Sequence, residues 1–129
     1  MKVPFESPEY IAAYIRSMYA AVAHEKYETE DSWVSDEITF LTYEAPHKLI
    51  DVVLRVLEVN PPEDILCVLA AGPLENYLVY GGEDAIENIE SLVEINPKLR
   101  NLLGGVWQSS MSDESWERVV KIRDTTGWE

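Results

Sequence analysis

Glu83, Glu87, Glu90 and Glu94 step by four, three and four residues, and Asp84 stands beside the first. On an α-helix that spacing lines the glutamates along one side. Like charges at such spacing cost a helix roughly 0.2–0.5 kcal/mol per pair. The chemistry such a row offers is attraction of positive charge, which speeds encounter with a partner and fixes its register. The row lies in a stretch, residues 56–97, with nine acids and no Lys or Arg. A second stretch, 27–47, holds six acids and again no Lys or Arg, whereas 98–123 has five bases against three acids. The whole chain carries a formal charge of −14. We therefore expect Glu83, Asp84, Glu87, Glu90 and Glu94 to be exposed and to meet a basic protein partner. The competing reading is a solvated face that only aids solubility. A nucleic-acid partner is not expected, because phosphate neutralisation needs clustered Lys and Arg.

Residues for covalent or acid–base chemistry are sparse. There is no G-x-S-x-G, no Walker loop, no G-x-G-x-x-G and no H-E-x-x-H. The two histidines are His24 and His47. Glu44-x-x-His47 has the spacing of di-iron bundles, but such sites need the motif on two helices. Residue 21 is Ala, so His24 lacks the matching acid, and Pro46 interrupts the one candidate. Cys67, the single cysteine, sits in the apolar run Ile65–Ala71 and reads as a buried, inert thiol. Glu75 follows Gly72-Pro73-Leu74 and would occupy the first turn of a restarted helix, where the dipole favours an anion. It has no identifiable acid–base partner. The expectation is no enzyme, no cofactor and no metal.

The elements that must position these residues are helices. Ser7-Pro8 pairs a favoured N-cap with a proline at the first helical position, and apolar residues recur at helical spacing from Tyr10 to about Tyr27. A short second helix is expected around Trp33–Leu41. Pro46 opens a third, in which Asp51, Arg55 and Glu58 form a narrow polar stripe on an otherwise apolar cylinder. Asn60-Pro61 reads as another cap-plus-proline start, leading into Ile65–Ala71 as a central buried helix. Gly72-Pro73 should kink or restart it before Tyr80. Gly81-Gly82 reads as a stop, followed by an amphipathic helix over Glu83–Ile95. Asn96-Pro97 opens the next, through Leu103 towards Trp107, with Gly104-Gly105 weakening its end. Ser112 caps a last helix towards Asp124, in an imperfect capping box with Ser115 where Glu or Gln is usual. Trp107 and Trp116 read as core, and Trp128 either docks back or stays loose.

No segment alternates at period two. The chain thus predicts one all-α domain over 1–129, with six or seven helices and no sheet. Its architecture is either a compact irregular helical bundle or a short HEAT-like stack of helical hairpins. The second option rests on proline starts spaced 38 residues (Pro8 to Pro46) and 36 residues (Pro61 to Pro97) apart. The longest apolar run is seven residues, against the ~20 that span a bilayer. With one Cys and no apolar leader after Met1, the expected compartment is the cytoplasm, with no membrane partner.

Ala70-Ala71-Gly72-Pro73-Leu74-Glu75-x-x-Leu78, Ile89-Glu90, Pro97-x-x-Arg100, Gly105-Val106-Trp107 and Trp116-x-Arg118 follow one another over roughly residues 60–120. In these words the chain resembles an uncharacterised bacterial helical domain family marked by "AAGPLE" and "GVW". The resemblance implies bacterial origin and a helical domain, not a chemistry. By type rather than by sequence, small acidic bacterial proteins without catalytic motifs are often inhibitors, immunity proteins above all, which neutralise a cognate toxin such as a basic nuclease. That is the expected function. The alternative is a small helical adaptor or scaffold acting within its own cell, with homo-oligomerisation as one mode.

Overall fold

The computed structural model describes residues 3–23 and 32–128. It is all-α, with no strand among the described residues. The order is α1 (Pro8–Val22), α2 (Ser32–Glu44), α3 (Pro46–Glu58), α4 (Glu63–Leu69), a π turn (Ala70–Leu74), α5 (Glu75–Tyr80), α6 (Gly82–Val93), α7 (Pro97–Leu102), a 3-10 turn (Leu103–Gly105) and α8 (Asp113–Ile122). Helices α4 and α5 join through the π turn without a break, which leaves seven helical bodies. No helix among the described residues is long and apolar enough to cross a membrane.

Side-chain capping sets three of the helix starts. The Ser7 hydroxyl accepts from the Glu9 N–H at 3.2 Å. The Asn96 side chain accepts from the Leu99 N–H at 3.0 Å, and the Ser112 hydroxyl from the Ser115 N–H at 3.1 Å. Each satisfies a donor that the first helical turn leaves open. Asn60-Pro61 behaves differently from the expectation. Asn60 takes φ 51°, a left-handed conformation Asn tolerates, and so terminates the chain leaving α3. Helix α4 then starts at Glu63 behind Pro62, with no side-chain cap. The notional extension of α1 to Tyr27, and His24 with it, lies outside the described residues.

The core is built around α3 and the α4–π–α5 body. Val52, Val53 and Val56 of α3 and Ile65, Leu69 and Leu74 of the long body are fully buried. The polar stripe on α3 holds: Asp51 and Glu58 are exposed. Arg55 reaches back to the chain start, donating to the Phe5 carbonyl at 2.7 Å and the Ser7 carbonyl at 3.1 Å. Helix α3 contacts α1, α2, the π turn, α5 and α7, and α1 also packs on α4. A stack whose units touch only their neighbours does not produce that pattern. The arrangement is a compact irregular bundle.

The interruption at Gly72-Pro73 takes the form of a π turn. Proline has no N–H, and its ring clashes with the carbonyl four residues back in a regular helix. The wider turn relieves that clash, and the Glu75 N–H bonds to the Ala70 carbonyl, five residues earlier. The helix continues, but the extra residue rotates everything beyond it by about 100°.

Candidate functional site

The acidic row runs along α6. Glu83, Asp84, Glu87 and Glu94 are exposed, as the sequence implied. Glu90 departs from that expectation. It is half-buried against α8, where Arg118 grips it with two bonds: Nε to Oε2 at 3.0 Å and Nη2 to Oε1 at 2.5 Å. The same guanidinium lies 3.7 Å from Glu83. These charge-assisted bonds hold the Glu90 carboxyl below the usual carboxylate range and push Arg118 upward. So α8 brings Arg118, 28 residues downstream of Glu90, against the row, and the exposed part of the row is Glu83, Asp84, Glu87 and Glu94.

Asp84 also lines a hollow of about 370 Å³ with Pro46, His47, Tyr77, Gly81 and Asn88. Asn88 donates to the Tyr77 hydroxyl at 2.8 Å across its wall. Gly81 follows Tyr80, whose ring stands edge-on to Tyr43 with centroids 4.9 Å apart. Tyr43, Tyr80 and Phe40 are exposed aromatics, and α2 packs on α5. Glu44 and His47 fall on different helices, one closing α2 and the other in the first turn of α3. No group of three His, Cys, Asp or Glu side chains among the described residues is placed to hold a metal ion.

A second concavity was not expected. It is a groove of about 540 Å³ lined by Cys67, Ala71, Gly104, Gly105, Val106, Trp107, Trp116, Arg123, Thr125 and Trp128. Two sequence expectations are corrected here. Trp107 is 76% exposed rather than core. Trp116, half-buried, packs against the core and also lines the groove wall. Cys67 is exposed, because the apolar run Ile65–Ala71 turns Ile65, Leu69 and Ala70 inward and leaves Cys67 and Ala71 to the groove.

The groove is held by long-range bonds. Glu75, carried round by the π turn, accepts from the Trp107 backbone N–H at 3.1 Å. Its role is thus to hold the turn after α7, beyond the dipole role the sequence suggested. Helix α7 stops at Leu102, short of the expected Trp107, and tightens into the 3-10 turn. Trp128 docks back on that turn: its Nε1 donates to the Asn101 carbonyl at 2.7 Å, and a Cβ on Gly105 would stand 2.5 Å from its ring. A Cβ on Gly104 would meet the Asp124 carbonyl at 2.2 Å. Asn101 donates to the carbonyls of Asp124 at 3.2 Å and Thr126 at 2.9 Å, so the segment from Arg123 to Trp128 is stitched to α7 as a strap. Asp124 also accepts from the Thr126 hydroxyl and N–H, which holds its carboxyl low. The residues of this groove were all visible in the sequence, but nothing local said that they face one another.

No curated protein and no solved structure matches the chain. A family model matches residues 21–127, a wider span than the words noted above, and so the chain belongs to a family of unknown function (DUF6869).

Proposed function

We propose that this protein is an acidic protein-binding module that docks a basic protein partner on the α6 face, and that it acts as an inhibitor of the immunity type. The observation that supports this most is the exposed carboxylate set Glu83, Asp84, Glu87 and Glu94, in a 42-residue stretch without Lys or Arg. Arg118 neutralises Glu90 and touches Glu83, and no ion pair among the described residues reaches Asp84, Glu87 or Glu94. Tyr80 of the exposed Tyr43–Tyr80 pair adjoins Gly81, which lines the same hollow as Asp84. Tyrosines of this kind serve as contact anchors and favour arginine partners. Neutralising a basic toxin inside the producing cell is the action that suits such a face.

The test is a tagged chain used as bait in its native host, beside a variant with Glu83, Glu87 and Glu94 changed to Gln and Asp84 to Asn. The expected result is a partner rich in Lys and Arg that cross-links to α6, whose own activity falls on binding. The variant should lose association rate, with a weaker dependence on salt. A toxin gene beside this one would support the immunity role. Equal association rates for both chains at two salt concentrations would refute the acidic-face reading. A self-associating chain with no other partner would favour the adaptor reading instead.

A further inference from the structure

The groove on the α4–α8 side carries chemistry opposite to the α6 face. We propose that it is a binding site for a small organic anion, a carboxylate that carries a flat aromatic ring. The only charged residue in its lining is Arg123. That guanidinium lies over the Trp116 ring, 5.3 Å from the centroid. The chain has 24 acids against 10 bases, yet no carboxylate among the described residues pairs with Arg123. A stacked guanidinium keeps its edge donors available in a fork that matches a carboxylate. The aromatic part follows from the walls: Trp107, Trp116 and Trp128 all line the groove. Flat rings pack on indole faces by offset or edge contacts.

The site is also built before any ligand arrives. Glu75 fixes the backbone at Trp107, Asn101 fixes the strap that carries Arg123 and Thr125, and Trp128 is seated on the two glycines. Preformed walls reduce the ordering cost of binding. The volume of about 540 Å³ falls within the roughly 300–1,000 Å³ usual for small-molecule sites. This inference stands apart from the α6 face, since none of the exposed row residues lines the groove.

Cys67 provides the test, because it is the one thiol of the chain and it lines the groove. The probes are 3-phenylpropionate and its neutral counterpart 3-phenylpropanol, at millimolar concentration. The readouts are the rate of Cys67 alkylation by uncharged N-ethylmaleimide and the indole N–H resonances of the four tryptophans. The acid should slow alkylation and shift the Trp107 and Trp116 signals, and the alcohol should bind at least ~10-fold more weakly, the loss of one charge-assisted contact. Arg123→Gln should remove that preference while its circular dichroism spectrum stays unchanged, and Arg123→Lys should retain part of it. Equal binding of acid and alcohol, unchanged binding by Arg123→Gln, or absence of protection and shifts at millimolar acid would each overturn the proposal.

Discussion

The Glu75 carboxylate accepts a hydrogen bond from the backbone N–H of Trp107, 3.1 Å away and 32 residues on in the chain. One residue belongs to the long central body and the other to the turn after α7, so this bond ties the two sides of the groove together. Glu75→Ala should lose it and cost about 1 kcal/mol, the usual net worth of an intramolecular hydrogen bond. Glu75→Gln keeps an acceptor oxygen and should cost less. Amide hydrogen exchange at Trp107 checks this: it should speed up in the Ala variant well beyond the Gln variant.

Gly104 and Gly105 differ in what they can tolerate. At Gly105 the three atoms nearest an added methyl all belong to the Trp128 ring, whereas at Gly104 the nearest is the Asp124 carbonyl oxygen at 2.2 Å, with the Thr125 backbone behind it. Both Ala variants should destabilise by about 1–3 kcal/mol, the range for overpacking. In a Trp128→Ala background the penalty of Gly105→Ala should largely vanish and that of Gly104→Ala should remain. Thermal melts of the three single and two double variants decide this.

Pro73→Ala restores a backbone donor in the most buried stretch. A relaxed α-helix would turn Leu74 and Leu78 out of fully or nearly fully buried sites. The π turn should therefore persist, with stability within about 1 kcal/mol of wild type, as helix propensity gained offsets packing lost. Slow exchange of the Trp107 amide in this variant, as in wild type, is the expected sign that Glu75 still reaches it.

Glu87 and Glu90 should respond in opposite directions to neutralisation. Glu87 is exposed, and Glu87→Gln should leave the melting temperature level or slightly higher, since repulsion along the row is relieved. Glu90→Gln breaks the bidentate bond from Arg118 and should lower it. The folded-state pKa of Glu90 lies below its unfolded value, so its contribution is present above the unfolded pKa and is lost as pH falls through the folded one. The gap between wild type and Glu90→Gln should narrow in acid and stay constant at neutral pH. Melting curves across that range measure it.

Local signals were legible in the sequence, because capping works across two or three residues. Ser7, Asn96 and Ser112 mark their helix starts by side chains that reach donors next door. The all-helical class, the interruption at Pro73 and the position of the acidic row on one helix follow from spacing alone. What a side chain faces was decided only by tertiary packing. Arg118 crosses 28 residues to take Glu90 out of the exposed row. Trp128 crosses 27 to reach the Asn101 carbonyl, and that docking holds the turn that leaves Trp107 in solvent. Cys67 looked buried because its neighbours are apolar, yet it is exposed on the groove. Apolar periodicity tells which residues would gain by burial, but not which segment arrives to bury them. In this chain α8 arrives to pack on α6, and the strap after it is tied to α7.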